Sequence, residues 1–242
     1  MARRRGGLAI AAAGAALLTV VAGSAALPRV AAAGAALLTV SARAGAIGPA
    51  EARPRNVAIL LFPGVQIIDY TGPWEVFGHA VRGGVPAFRI YSVAERREPL
   101  STSMGMIVVP DFAMANAPSP DVLVVPGGHV PLESEATLEW IRTSARRAEI
   151  VFSVCTGAFL LSRAGLLDGL EATTFAGAID ALRRDAPRTR VVSGRRWVDN
   201  GKIITAGGLS AGLDGALHVV ERVAGREAAV RAATVMEYDW RN

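Results

Sequence analysis

Cysteine is almost absent from this chain: Cys155 stands alone among 242 residues. No intrachain disulfide can form, so the sequence is not a small disulfide-stapled scaffold. Lysine is as scarce, with Lys202 the only one among 26 basic residues; the rest are Arg, a bias of genomic composition more than of chemistry. The three histidines (His79, His129 and His218) lie far apart and with one cysteine make no convincing metal cluster. A phosphate loop of the G-x-x-x-x-G-K type is missing too. Charged residues are only 19% of the chain against 51% hydrophobic, which excludes a disordered tail protein. The 26 Gly and 13 Pro show no collagen-like composition. What is left is a globular domain, long enough to bury a core of its own.

The formal charge of +5 invites a nucleic-acid reading, and its distribution removes it. Residues 1–55 hold seven Arg and one acid, Glu51, and so contribute +6. The rest carries 19 basic and 20 acidic groups, a net of −1, with no electrostatic footprint for a polyanion. The basic segment opens with Arg3-Arg4-Arg5, followed by an uncharged Ala/Leu/Val run to Pro28 and small residues at 22–26. That order is expected of an export signal over 1–28. Leu8–Leu27 is also long enough to cross a bilayer at about 1.5 Å per residue, so a retained membrane anchor is the competing expectation. Either way the folded part is expected outside the cytoplasmic membrane, periplasmic or extracellular, free or tethered. The decapeptide at 11–20 recurs at 31–40, a local duplication and not a solenoid. Residues 29–55 read as an Ala/Gly/Pro/Arg linker, and 56–242 as the folded domain.

Within 56–242, short apolar runs alternate with helix-length stretches, the pattern of an α/β fold with a mainly parallel sheet. Strands are expected at Val57–Phe62, Phe88–Val93, Val122–Val125 and Ile150–Val154. A hairpin of Arg196–Val198 with Lys202–Thr205 is expected around Asp199-Asn200-Gly201. Helices are expected after Gly72-Pro73, with Pro in the first turn, and at Glu135–Ala148, Thr156–Ala164, Gly177–Arg184, Ala211–Ala224 and Glu227–Tyr238. Ligands of such sheets bind outside the carboxyl ends of the strands. Three of those ends carry chemistry: the first leads to Asp69, the second reads Val125-Pro126-Gly127-Gly128-His129, and the third is Ser153-Val154-Cys155-Thr156-Gly157.

A lone cysteine is commonly a small buried hydrophobe. Cys155, however, stands where a buried strand turns at once into a helix, flanked by Thr156 and Gly157, the position of a nucleophile elbow. Helix N-termini lower a thiol pKa from about 8.5 to about 3.5–7.5, so a mostly ionised nucleophile is expected. The amides of Thr156 and Gly128 are candidate donors to a developing oxyanion. Asp69 is either an acidic partner of the thiol or a helix-capping carboxylate ahead of Gly72-Pro73. Glu75 and His129 are weaker candidates, and His79 and His218 read as structural.

These stretches resemble the ThiJ/PfpI family of the class I glutamine amidotransferase-like superfamily, in the branch that includes isonitrile hydratases. The matching runs are LLFPGVQIIDYTGPWEVF (60–77), VVPGGH (124–129), SVCTGAFLLSRAGLLDG (153–169), ATT (172–174) and ITAGGLSAGLDGALHVV (204–220). The resemblance implies a three-layer αβα sandwich, commonly a homodimer, acting on a small molecule without a cofactor. It places the nucleophile on Cys155, its acid on Asp69, the elbow neighbour on Thr156 and an amide-donor glycine on Gly128. In isonitrile hydratases the cysteine is thought to attack the isocyano carbon, giving a thioimidate that water releases as a formamide. One departure stands out: close relatives often carry His after A-T-T, where this chain has Phe175. Three readings follow: hydration of an isonitrile-like carbon electrophile, glyoxalase or deglycase chemistry on carbonyls, or a ligand-binding or redox-sensing domain without turnover.

Overall fold

The computed structural model describes residues 53–132 and 134–240. Uninterrupted aliphatic runs become strands covered on both faces, as parallel sheets require. They are β1 (Arg55–Leu60), β2 (Phe88–Ala94), β3 (Phe112–Ala113), β4 (Val122–Val125), β5 (Ile150–Val154), β6 (Trp197–Asp199) and β7 (Ile203–Ala206). They form one sheet in the order β6-β7-β5-β4-β1-β2-β3. Every pairing is parallel except the β6–β7 hairpin, where Val198 faces Thr205. All four residues of β4 are completely buried. Each such aliphatic side chain contributes about 1.5–3 kcal/mol of burial.

Helices α1 (Ile67–His79), α5 (Ala211–Ala224) and α6 (Arg226–Val235) pack together on one face. Helices α2 (Glu135–Arg147), α3 (Gly157–Arg163) and α4 (Ile179–Asp185) form the second outer layer, giving an αβα sandwich. The α2 boundaries follow its caps: the Ser134 hydroxyl accepts the Thr137 N–H at 3.2 Å, and Arg146 and Arg147 close the last turn. From β1 the chain runs outward through β2 and β3, then returns to β4 on the opposite side of β1. The strand order therefore reverses between β1 and β4, and a crevice opens at their carboxyl ends. Both loops that leave this crevice carry site residues.

Two expectations are corrected here. Helix α1 does not start after Gly72-Pro73; it starts at Ile67, and Pro73 lies inside it. A clasp between loops moves the start. Gln66 N–H donates to the Gly127 carbonyl at 2.8 Å, His129 N–H to the Gly64 carbonyl at 3.0 Å, and Val65 bridges Gly128. Pro73 offers no N–H to the Asp69 carbonyl four residues earlier, so the helical ladder is open at the residue that carries the acid. Asp69 is thus inside the first turn and does not cap a helix at Pro73. The transmembrane expectation is corrected as well: among the described residues no helix is long and apolar enough to cross a membrane. The stretch Leu8–Leu27 and most of the linker lie outside the described residues.

Candidate active site

Cys155 leaves β5 with φ 57, in the left-handed region that a non-glycine residue enters at a cost. Its backbone is held there from two sides. The Cys155 N–H donates to the carbonyls of Ala206 and Gly207, each at 3.1 Å, and the Thr174 hydroxyl donates to the Cys155 carbonyl at 2.7 Å. Gly157 permits the turn, because a Cβ there would collide with the Val125 and Pro126 carbonyl oxygens. The result is a sulfur at the start of α3, on a residue only 7% exposed, with the Thr156 N–H and hydroxyl directed at it.

Asp69 meets that sulfur from α1 and has no exposed surface. Its Oδ1 accepts the Leu209 N–H at 3.1 Å and its Oδ2 the Gly127 N–H at 3.2 Å, and the carboxyl also hydrogen-bonds the Cys155 side chain. Burial pushes Asp69 up to about 6, opposed by Leu209, Cys155 and Gly127 in that order. Burial, then the Asp69 charge, pushes the Cys155 thiol up to about 12. The pair therefore holds one proton across the neutral range, and its titration belongs to both groups. This corrects the expectation of a mostly ionised thiol: burial beside a carboxylate outweighs the helix terminus. Both carboxylate oxygens already face N–H donors, so Asp69 is built as the acceptor of the thiol proton.

The structure brings Cys155, Asp69, Thr156 and Gly128 into one cluster, with the two amides in different states. The Gly128 N–H already donates to the Thr156 hydroxyl at 2.9 Å, and that hydroxyl can donate in turn to the Gly128 carbonyl at 3.1 Å. The Gly128 amide is thus occupied in this state, while the Thr156 amide faces the sulfur. His129 is exposed on the wall of the same cavity, which measures about 380 Å³ and is also lined by Gln66, Met104, Phe175 and Leu209. Phe175 also lines a larger cavity, of about 580 Å³, that Cys155 does not reach. Glu75 is exposed, pairs with His79 at 3.2 Å and stands outside the thiol cavity. His218 stacks on Trp197 at 3.8 Å and bonds Asp199 at 2.7 Å.

Three contributors were not identified from the sequence. Leu209 acts through its N–H, so its side-chain type carries no signal. Its φ of 56 turns that N–H toward Asp69. Gly127 likewise acts through its N–H, and a Cβ there would press on the Thr156 N–H and the Cys155 Cβ, 2.7 and 2.8 Å away. Thr174 was legible only as part of the A-T-T run.

The chain is 36% identical over 187 residues to the isonitrile hydratase of Pseudomonas putida, covering 76% of this chain and 78% of that one. It is 26% identical over 200 residues to the HTH-type transcriptional regulator GbdR of Pseudomonas aeruginosa, covering 81% of this chain and about half (54%) of the regulator. The crystal structure of a ThiJ/PfpI family protein from Pseudomonas syringae superposes with a TM-score of 0.70 at 30% identity, covering 78% of this chain and 77% of that one. The DJ-1/PfpI family model matches residues 55–222, from the first residue of β1 to near the end of α5 and so across both loops that meet at Cys155. On that match, the chain belongs to the DJ-1/PfpI family.

Proposed function

We propose that this domain hydrates a small carbon electrophile through Cys155, converting an isonitrile to an N-substituted formamide. The observation that carries the reading is the fully buried Asp69 carboxyl hydrogen-bonded to the Cys155 thiol, with Cys155 on the wall of a cavity of about 380 Å³. The similarity to an isonitrile hydratase supports the substrate class. The sulfur adds to the terminal isocyano carbon while the proton of the pair passes through Asp69 to that same carbon, giving a thioimidate. Water then adds to the thioimidate carbon, the C–S bond breaks, and the formamide leaves with one proton returned to the pair. The balance is one isonitrile and one water to one formamide, with no oxidant or reductant.

The resemblance to GbdR favours a second reading, in which the cavity binds a ligand without turning it over. Incubation of the protein with small alkyl isocyanides separates the two. Formamide is expected to accumulate with the parent and not with Cys155→Ala. A folded parent that retains isocyanide and releases no formamide overturns the enzymatic reading.

We further propose that the domain is exported, on the strength of its Arg-led apolar leader, and acts as a homodimer. An apolar cluster with Met104 74%, Ile107 63% and Val109 54% exposed supports pairing with a second copy. Fractionation followed by light scattering should find a dimer outside the cytoplasmic membrane; a soluble cytoplasmic protein or an exported monomer refutes the corresponding part.

A further inference from the structure

Leu209 can hold its N–H on Asp69 only if residues 207–210, which join β7 to α5, stay in place against a left-handed backbone at Leu209 itself. The fixation comes from outside the cavity. The Arg196 carbonyl accepts the Gly207 N–H at 2.9 Å, and the Arg196 guanidinium reaches the Ser210 hydroxyl at 3.4 Å. Its Nε is paired with Asp214, a carboxylate in the first turn of α5 whose side chain is 5% exposed. The other Asp214 oxygen accepts the Tyr238 hydroxyl at 3.0 Å. Backbone and side chain of one arginine thus bracket the segment that carries Leu209, anchored on a buried acid.

We propose that Arg196, seated on Asp214, is a positioning residue that sets the proton affinity of the Cys155–Asp69 pair through the Leu209 N–H. The inference rests on the reading of that pair as the reactive centre. A hydrogen bond from Leu209 favours the charged carboxylate. Slackening the segment weakens that bond and makes the pair keep its second proton to higher pH. The groups that act on the Asp69 carboxyl are the Cys155 side chain from the elbow and the N–H groups of Gly127 and Leu209, while the Asp214 carboxylate of α5 is compensated by Arg196. Among the described residues, Cys155 is the one side chain that acts directly on the Asp69 carboxyl.

The test is the rate of Cys155 alkylation by iodoacetamide against pH in the full chain, which needs no substrate. The parent profile is expected to rise through about pH 6. Arg196→Met should move the midpoint upward by about half a pKa unit, so that labelling at pH 6 falls about twofold while labelling at pH 8 is nearly unchanged. Arg196→Lys, which keeps the charge on Asp214 but lacks the fork to reach Ser210, should recover part of the shift. Asp214→Asn separates positioning from charge. Removing the Asp214 anion would by field alone lower the midpoint, whereas loss of the anchor raises it. Should Asp214→Asn fail to fold, Arg196→Lys decides in its place, because it keeps the charge: a midpoint above the parent's supports positioning, and a full return to the parental midpoint assigns the effect to charge and overturns the proposal. A folded Arg196→Met with the parental midpoint, or a lowered midpoint in folded Asp214→Asn, overturns the proposal. A parent with no step near pH 6 overturns the pair itself, and the proposal with it.

Discussion

Asp69→Asn is expected to slow formamide production by about 10²-fold or more, the scale of losing a positioned acid–base group. Asn accepts a hydrogen bond through its carbonyl, but it cannot take the thiol proton and deliver it to the isocyano carbon. The same variant should lose the step near pH 6 in the alkylation profile, because no pair remains to share a proton. Burial is the largest cause of the raised Cys155 thiol and survives the substitution. Labelling of the variant should therefore begin only above about pH 8, near the range of a free thiol or beyond it. Stability should move as well. The folded protein raises the Asp69 carboxyl from 3.8 to about 6, so it binds that proton more tightly than the unfolded chain does. The stability this contributes is fully present below pH 3.8 and is lost as pH rises through about 6. Holding the ionised carboxyl at pH 7 then costs on the order of 3 kcal/mol. Asp69→Asn should gain on the parent in urea midpoint between pH 4 and pH 7. A parent–variant difference that is flat over that window, or full turnover by the variant, refutes the role given to Asp69.

Gly128→Ala is expected to lower stability by about 3 kcal/mol, combining backbone strain with overpacking. Gly128 adopts φ 125, and an added Cβ would run into the Gly64 carbonyl oxygen and sit 2.6 Å from the Gln66 nitrogen. Those are backbone atoms of the clasp that starts α1, so the neighbours cannot swing aside as a flexible side chain does. For a domain of this size the loss corresponds to a fall of about 10 °C in Tm. Turnover should fall too, because the clasp places both Asp69 and the Gly127 N–H that binds it. Calorimetry with a parallel isocyanide assay decides the matter, and an alanine variant with parental Tm would show the clasp to be slack.

Runs of buried aliphatic residues made three strands readable nearly to the residue and a fourth, Arg55–Leu60, to within two residues at each end, because a parallel sheet covered on both faces tolerates few polar positions. Val122–Val125 and Ile150–Val154 fall where expected. The boundary of α1 did not, since Pro73 speaks for a helix start while the contact with Gly127 and Gly128, more than fifty residues away, overrides it. The short hairpin of Leu100–Ser101 with Ile107–Val108 was missed as well. Its strands are too brief for a periodic signal, and Gly64 and Val65 hold it by backbone bonds.

The candidate site divides along the same line. Local chemistry is written into the chain: a cysteine between strand and helix, a glycine pair after a second strand and an acid after a third. Sequence alone determined the α/β class, the family resemblance and the side chains Cys155 and Asp69. Tertiary structure decided the protonation of the pair, because desolvation and the distance between two charges exist only once α1 and the elbow are packed together. It also decided the donors on Asp69. The N–H groups of Gly127 and Leu209 are common to nearly every residue type, and only the fold aims these two at one carboxylate.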